Sequence, residues 1–388
     1  MFPQRQAAVV GVYTSEQARV LDRTSDSLQL EAVKGALQDA GLTAADVDGV
    51  AGASMRGRYP WFEQYWATQL GGRPLTYVQE MTGANPGLHK SALAVSAGLA
   101  DVVVHVFGKA NARTGIGGHP VLDEAPRMDP WDLHFTGGSY PMWYAMWARR
   151  YMHEFGATSE DLAQVAVAHR HHATLNPRSL MGGRGELTVD DVLGSRLIAE
   201  PLHLYDCALD NDGAWAFVVA SAEVARGCRK EPVWIIGGAE AVETDLYMTV
   251  DKPWIRESGS AVRRVGEMSF AQAGIRHDDL DVANLYDCFT ITMIRNLEEL
   301  GFCKLGEGAE YFREGHTRLG GSIPCNTDGG LLSHSHNGMT HGFPMIEVTR
   351  QLRGECGPRQ VPGARLGLAF SQGASVHGAA TAVVLATG

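Results

Sequence analysis

The chain has 388 residues, of which 45% are hydrophobic and 20% are charged, and its formal net charge is -11. This length is large for a single core, so two domains or two fused halves are expected. The acidic balance argues against a nucleic-acid partner, which would require a basic face. No apolar run approaches the ~18 residues of a membrane span.

The six cysteines are scattered without a CxxC pair. This usage predicts reduced thiols rather than a zinc site or a disulfide framework. The first residues lead directly into an apolar strand, without the basic region and cleavage site of a signal peptide. The sequence therefore predicts a cytoplasmic protein with no metal of its own.

Strand and helix patterns alternate along the chain. The apolar run 7–13 predicts a buried strand, and leucines and valines at helical spacing predict a helix over about 25–40, ended by Gly41. Further strands are predicted from the apolar runs at 100–108, 214–220 and 366–370. Because these runs do not alternate strictly with polar residues, helices are expected on both faces of the strands.

Two segments of the first half recur in the second half in the same order. Residues 40–48 (AGLTAADVD) return as 273–281 (AGIRHDDLD), and 212–219 are echoed by 377–384. Two unrelated helix-stop signals are the alternative, but the shared order favours duplication of an α/β unit.

The predicted division is an N-terminal half over 1–225 and a C-terminal half over 230–388. Residues of about 110–200 have no counterpart in the second half and are interpreted as an inserted loop domain, where substrate contacts often concentrate. Six aromatic residues of this insert either line a bulky apolar pocket or form the insert's own core: Trp131, Phe135, Tyr140, Trp143, Tyr144 and Trp147.

Three loops combine reactive side chains with glycine or with the end of a strand. Residues 81–89 precede an alanine-rich helix, whose N-terminus would suit a nucleophile or an oxyanion, yet they contain no cysteine or serine. Taken alone, this loop is interpreted as a structural helix start. In 285–290, an extended backbone would place Tyr286 and Cys288 on one side and Asp287 on the other. Tyr286 is a candidate proton donor or acceptor, and the alternative is a buried tyrosine with one satisfied hydrogen bond.

The third loop, 326–338, is rich in glycine and contains His334 and His336. A catalytic histidine is favoured over a metal site, because no acidic or third histidine ligand stands at a recognisable spacing. The run 169–172 (HRHH) resembles a metal or anion site, but a solvated polar helix face is the preferred interpretation.

The loops together resemble the thiolase superfamily, in its sterol carrier protein x and lipid-transfer-protein branch. Residues 326–342 look like that branch's N-x-x-G-G-L-x-S-x-G-H-P-x-G-x-x-G loop, with His336 on the catalytic histidine and Asn337 in place of the proline. Residues 285–289 resemble its H-D-C-F motif, with Tyr286 at the first position.

The same resemblance locates two missing cysteines. The family's nucleophile stands in a C-x-x-G turn, and with Gly87 on that glycine the nucleophile position falls on Ala84. Residues 373–378 resemble the glycine-rich final loop, in which Ser371 or Gln372 is nearest to the absent second cysteine. Without a thiolate at position 84, ordinary ping-pong thiolysis is not expected.

The fold implied by the resemblance is α/β: a thiolase fold with two duplicated βαβαβαββ-type halves in a five-layered αβαβα arrangement and an inserted loop domain. The implied catalytic residues are Tyr286, His336 and Gly378. Further candidates are Cys288, His334, His377 and Ala84, the position of the missing nucleophile.

One subgroup of this branch lacks the cysteine and has a tyrosine in the H-D-C-F slot. These are bacterial acyl-CoA retro-aldolases that cleave steroid side chains, and the chain is similar to them at 148–153, 198–202, 285–287 and 297–303. In that subgroup a second tyrosine takes the histidine-loop position, whereas this chain has His336. The sequence therefore combines a retro-aldolase tyrosine with a thiolase histidine.

Three functional hypotheses follow from the resemblance. In the preferred one, a β-hydroxyacyl-CoA loses its hydroxyl proton to Tyr286, directly or through a water or His336, and the Cα–Cβ bond breaks. His336 and backbone N–H groups near Gly378 and Ala84 would stabilise the enolate. The second is acyl transfer, with Cys288 as an unconventional nucleophile or with direct transfer to coenzyme A. The third is a non-catalytic CoA-binding subunit.

The resemblance also implies partners. Thiolase-type proteins are usually homodimers, and members of this branch often pair with a small OB-fold protein that carries a zinc ribbon. Coenzyme A is expected as part of the substrate, and no covalently bound cofactor is expected.

Overall fold

The computed structural model describes residues 2–53, 62–81, 87–110, 140–242, 260–373 and 378–388. The helices of these residues are α1 (Ser25–Ala40), α2 (Phe62–Gln69), α3 (Lys90–Ser96), α4 (Tyr140–Phe155), α5 (Ser159–Thr174), α6 (Val189–Leu193), α7 (Ala222–Gly227), α8 (Ala261–Ala273), α9 (Thr290–Glu299), α10 (Gly308–Arg313), α11 (Gly330–Ser333) and α12 (Gly342–Leu352). The strands are β1 (Ala7–Thr14), β2 (Gly49–Ala53), β3 (Tyr77–Met81), β4 (Val102–Lys109), β5 (Leu197–Ala199), β6 (Leu202–His203), β7 (Gly213–Ser221), β8 (Val233–Val242), β9 (Val282–Asn284), β10 (Leu366–Gly373) and β11 (Ala379–Ala386).

Nine strands form one mixed sheet in the order β3-β2-β4-β7-β1-β8-β11-β10-β9, and β5 pairs with β6 apart from it. From the centre outward, the series β1-β7-β4-β2 and β8-β11-β10-β9 show the same sequence of two antiparallel pairings and one parallel pairing. The two series meet where β1 pairs with β8 at only two positions, Ala8 with Trp234 and Val9 with Val233. The strand arrangement therefore repeats within the described residues.

The repeated motif of the sequence forms the same local structure twice. α1 ends on Gly41 (φ 79°) and α8 ends on Gly274 (φ 71°), a left-handed conformation that glycine adopts without a steric penalty. A short 3-10 turn follows each helix, and in each turn a backbone N–H donates to the closing carboxylate, Asp46 or Asp279, at 2.8 Å. The helix predicted over 25–40 with its stop at Gly41 is confirmed.

The last aspartate of each repeat joins neighbouring strands. The Asp48 carboxylate accepts backbone N–H groups at the start of β4, and the Asp281 carboxylate accepts the corresponding groups at the start of β10. Each aspartate therefore holds the parallel pair of its own half in register.

Helices cover the sheet according to the half to which they belong. α1 packs on β1, β7 and β4, and α8 packs on β8 and β11. α12 contacts β9 and β10 of its own half and also β1 and β7 of the other half, so it lies where the two halves meet. α4 and α5, from the predicted insert, pack against the group of helices α9 to α11.

The prediction of a solvated face for the run 169–172 is wrong. His169, Arg170 and His172 are buried, and only His171 faces solvent. The reason is that α5 is packed on this face by α9, α10 and α11, elements more than a hundred residues further along the chain. Local charge patterning contains no information about such coverage.

The aromatic residues of α4 belong mainly to the core. Trp143, Tyr144 and Trp147 are buried, whereas Tyr140 is 38% exposed and packs edge-on against Trp143. The remaining two aromatics of the predicted pocket, Trp131 and Phe135, lie outside the described residues. None of the helices given above is long and apolar enough to cross a membrane.

Candidate active site

The loop after β9 is fixed by side-chain amides. Asn326 accepts the backbone N–H of Leu285 at 2.7 Å and donates to the carbonyl of the same residue at 2.7 Å. Asn296 of α9 donates to the carbonyl of Tyr286 at 2.7 Å. Asn326 has a φ of 49°, a left-handed conformation that asparagine tolerates better than most residues. The loop carrying Tyr286 is therefore anchored through its backbone.

Asp287 joins this loop to two other elements. Its carboxylate accepts the N–H of Leu331 in α11 at 2.9 Å and lies 2.8 Å from Nδ1 of His169. A side chain at Gly330 would bring its Cβ within 2.2 Å of that carboxylate, and Gly330 has a φ of 60°. The close approach explains why the glycine pair stands at this point of the histidine loop.

Tyr286 and Cys288 share Tyr144 as a neighbour, whereas Asp287 contacts His169 and the N–H of Leu331. Cys288 lies beside both phenols, Tyr286 and Tyr144, and its Sγ is 3.6 Å from Oγ1 of Thr292. Burial, followed by the neighbouring Cys288, raises the pKa of Tyr286 well above its usual value. Burial raises the pKa of the Cys288 thiol to about 12. Both groups are therefore protonated at neutral pH.

His336 lies on the loop that Asn326 and Asp287 fasten to the Tyr286 loop. Its backbone N–H donates to Oδ1 of Asn211 at 2.8 Å, and it lies beside an ion pair in which Nζ of Lys109 is 2.5 Å from Oδ1 of Asp210. Burial and the Lys109 ammonium lower the pKa of His336, against the opposite effect of Asp210 and Asp287. The imidazole is therefore neutral at neutral pH and able to accept a proton.

His341, a buried histidine beside His336, is not among the residues predicted from the sequence. Nδ1 of His341 lies 2.6 Å from Oγ of Ser371, on the strand where the family's second cysteine was sought. Burial, with a smaller effect of His336, lowers the pKa of His341 to about 4. Gln372 is also buried, and its Oε1 makes no hydrogen bond to the described residues. No local motif distinguishes His341 from a surface residue, so only the fold brings it next to His336.

His334 does not share these surroundings. It is buried and packs edge-on against Phe343, and burial lowers its pKa to about 3. Its environment is that of a core histidine held by packing, and its catalytic role remains a prediction.

The start of α3, where the missing nucleophile was predicted, is described from Gly87 onward. The Gly87 N–H donates to Oε2 of Glu240 at 3.1 Å, and Nζ of Lys90 lies 3.3 Å from Oε1 of the same carboxylate. Ala84 lies outside the described residues, as does His377. Gly378 is buried immediately before β11.

In the described part of the chain, no group of three or more histidine, cysteine or acidic side chains is placed to hold a metal. The two fastened loops carry a neutral phenol, Tyr286, and a neutral imidazole, His336.

The strand arrangement and the two fastened loops define a thiolase-fold protein. A family model, Thiolase C-terminal domain-like, matches residues 247–386. The chain is 37% identical to a steroid side-chain-cleaving aldolase of Thermomonospora curvata, with 90% of each chain covered. It is 38% identical to the 17-hydroxy-3-oxo-4-pregnene-20-carboxyl-CoA lyase of Mycobacterium tuberculosis, covering 90% of this chain and 92% of that one.

Solved structures agree with these relatives. The Ltp2-ChsH2(DUF35) aldolase superposes with a TM-score of 0.88 at 32% identity, covering 100% of this chain and 99% of that chain. Human mitochondrial 3-ketoacyl-CoA thiolase superposes with a TM-score of 0.69 at 13% identity over 98% of this chain and 99% of that chain, which shows the shared fold. The chain belongs to the thiolase superfamily, in its sterol carrier protein x and lipid-transfer-protein branch. The predicted family and the predicted thiolase fold are confirmed.

Proposed function

We propose that this chain cleaves the Cα–Cβ bond of a β-hydroxyacyl-CoA by a retro-aldol reaction without forming an acyl-enzyme. It is an enzyme, a carbon–carbon lyase that acts on acyl-CoA. The observation that carries this proposal is the pair of fastened loops, which holds a neutral phenol, Tyr286, and a neutral imidazole, His336, with no reactive thiolate among their described neighbours.

The protonation states argue against Tyr286 as the proton acceptor, which is the role that the sequence analysis gave it. A half-buried phenol with a raised pKa, as in Tyr286, is a proton donor rather than a base, whereas neutral His336 is able to take the hydroxyl proton, directly or with Tyr286 as a relay. As the proton leaves, a carbonyl forms at Cβ, the Cα–Cβ bond breaks, and its electron pair moves into the thioester enolate. His336 then returns the proton to Cα, so that the reaction consumes no further reagent.

Acyl transfer through Cys288 is opposed by the surroundings of that thiol. Only the thiolate is an effective nucleophile, and a buried thiol with a pKa of about 12 is almost wholly protonated at neutral pH. The names of two relatives, an aldolase and a lyase, agree with cleavage. The name of a third relative agrees with acyl transfer instead. This relative, an acetyl-CoA acetyltransferase of Methanothermobacter thermautotrophicus, is 33% identical over 96% of this chain and 99% of that one.

The proposed substrate is the CoA thioester of a steroid side chain with a β-hydroxyl group, by analogy with the names of the two relatives. A panel of steroidal, aromatic and linear β-hydroxyacyl-CoAs, followed by mass spectrometry of the products, tests this proposal. The expected result is a ketone or aldehyde and a shortened acyl-CoA in equal amounts, with the steroidal thioester preferred. Release of products only when free coenzyme A is added would instead indicate thiolysis.

A homodimer and a small DUF35-type partner with an OB fold and a zinc ribbon complete the proposal. Its support is the structural similarity to the Ltp2-ChsH2(DUF35) aldolase. Co-expression with such a partner is expected to raise solubility or cleavage activity; if neither changes, the pairing is wrong. Coenzyme A enters as part of the substrate, and no covalently bound cofactor is proposed.

A further inference from the structure

Two buried histidines of α5, about one helical turn apart, contact the two loops of the proposed site. Nδ1 of His169 lies 2.8 Å from Oδ2 of Asp287, in the loop that carries Tyr286, and the two side chains of this pair are each 1% exposed. Nδ1 of His172 lies 3.2 Å from the backbone carbonyl oxygen of Asn326, at the start of the histidine loop. One face of α5 therefore contacts both loops.

The contact of α5 with the histidine loop continues past this point. Nδ2 of Asn176, just after the helix, donates to the carbonyl oxygen of Asp328 at 2.9 Å. Gly329 has a φ of 105°, and a Cβ at this position would stand 2.7 Å from the Cβ of Ala173. The helix and the main chain of the loop are therefore in direct contact. α5 supports the histidine loop, and the histidine–aspartate pair ties the tyrosine loop to the same support.

Asp287 couples the two loops because its carboxylate accepts donors from two elements. Oδ1 accepts the N–H of Leu331 at 2.9 Å, and Oδ2 accepts the N–H of Leu332 at 3.4 Å. A carboxylate that accepts these two N–H groups is satisfied by a third donor, so Nδ1 of His169 is the protonated ring nitrogen. Nε2 of the same ring is buried and makes no hydrogen bond to the residues that the structure describes. The imidazole is therefore oriented by its hydrogen bond to the carboxylate.

We infer that His169 is a positioning residue that acts through Asp287. It holds the loop of Tyr286 against the loop of His336, so that both groups meet one substrate. This inference rests on the proposed function, because that function needs the two groups at the same substrate. A displacement of catalytic groups by about 1 Å can lower a rate by about 100-fold, so a residue that supports a loop affects the rate without touching the substrate.

Kinetics of the complete protein with the steroidal β-hydroxyacyl-CoA test the inference. His169→Leu is expected to lower kcat by about tenfold or more, with KM little changed, because the tyrosine loop loses its support. His169→Asn places an amide N–H near the position of Nδ1 and is expected to recover most of that loss. His169→Gln places its amide further out and is expected not to recover it. His171→Leu, at the exposed neighbouring histidine, is the control with wild-type kcat expected.

A double-variant cycle tests whether the effect passes through the carboxylate. In an Asp287→Asn background, His169→Leu should cause little further loss of kcat, since the interaction is already weakened. Wild-type kcat in His169→Leu would overturn the inference, and so would a full additional loss in the Asp287→Asn background. If His169→Leu does not fold, equal kcat values for His169→Asn and His169→Gln would overturn it instead.

Nuclear magnetic resonance tests the pair without any turnover. In protein that contains isotopically labelled histidine, the Nδ1 proton of His169 is identified as the ring-proton signal that is absent from His169→Asn. This proton is expected at low field, because it is shared with a carboxylate, and should move upfield in Asp287→Asn. An unprotonated Nδ1 would contradict the inference, whereas the expected signal without cleavage of any panel substrate would contradict the proposed function alone.

Discussion

Tyr286 and His336 differ in the groups that surround them, and this difference underlies the roles proposed for them. Tyr286 is half-buried beside a thiol and other phenols, and these surroundings raise its pKa and keep it protonated. His336 is flanked by an ammonium group and two carboxylates, and burial together with Lys109 keeps it neutral. A donor and an acceptor in their useful states at neutral pH are what a retro-aldol reaction requires.

Replacing Tyr286 by phenylalanine is expected to lower kcat/KM for β-hydroxyacyl-CoA cleavage by about 100-fold or more, the usual contribution of a general acid or base. The ring is kept, so the fold should be unaffected. Initial rates measure the loss, and Tyr311→Phe is the matched control with wild-type activity expected. Wild-type activity of Tyr286→Phe in the reconstituted complex with the partner would indicate a CoA-binding subunit whose chemistry lies elsewhere.

The pH dependence of kcat/KM is expected to report His336. Because its pKa is lowered, the imidazole loses activity by protonation only below its ordinary value of about 6.5. Lys109→Met removes a positive charge and should move this acid limb to higher pH, whereas Asp210→Asn should move it to lower pH. Rate profiles of the two variants measure the shifts, and parallel shifts in one direction would contradict the assignment to His336.

At the scale of elements, Asn326 is the side chain of the histidine loop that holds the backbone of the loop after β9. Asn326→Ala leaves the buried N–H and carbonyl of Leu285 without their amide partner and is expected to cost about 2–4 kcal/mol in the free energy of unfolding. Denaturant titration measures this loss. The exposed control Gln38→Ala should change stability by less than about 0.5 kcal/mol, and a similar small effect in Asn326→Ala would contradict the described anchoring.

The local helices and strands could be predicted from the sequence, but the elements that pack over them could not. α1 with its glycine stop and the strands near 7–13 and 214–220 obey periodicity and capping rules that act within a few residues. The burial of His169 depends on α9 to α11, and the contact of His341 with Ser371 spans 30 residues. Tyr286 and His336 are predicted as site residues because family motifs mark them, while Lys109 and Asp210 carry no such mark. Long-range packing decides these contacts, and a single sequence does not encode it in any local pattern.

At the scale of the whole molecule, α12 joins the two halves and carries the buried charge that supports the histidine loop. Glu347 of α12 pairs with Arg359 at 3.0 Å and accepts the hydroxyl of Thr327 at 2.8 Å. Next to it, Asp328 accepts the amide of Asn284 at 3.0 Å. Burial and then the Glu347 carboxylate raise the pKa of Asp328 above its usual value.

This raised pKa predicts how stability depends on pH. A carboxyl that binds its proton more tightly in the folded state contributes stability below its ordinary pKa of about 3.9, and the contribution is lost as pH rises through the folded value. Asp328→Asn keeps the acceptor oxygen and removes the charge, so it should stabilise the protein at alkaline pH by more than about 1 kcal/mol and reduce the loss of stability with rising pH. Urea midpoints measured across pH test this expectation. If the variant loses stability at alkaline pH as steeply as the wild-type protein, the role given to this carboxyl is contradicted.

The division into halves at 225 and 230, the homodimer and the cytoplasmic location remain predictions. The repeated strand order and the paired contacts of Asp48 and Asp281 support the first of these without fixing its boundaries.

The central claim is that cleavage proceeds without an acyl-enzyme. The intact mass of the protein, measured during turnover of a steroidal β-hydroxyacyl-CoA, tests this claim, and the products are analysed in the same sample. We expect a ketone or aldehyde and a shortened acyl-CoA in equal amounts, no requirement for free coenzyme A, and an unmodified protein mass throughout. An acyl adduct mapped to Cys288, or products that appear only with free coenzyme A, would contradict the proposed retro-aldol reaction.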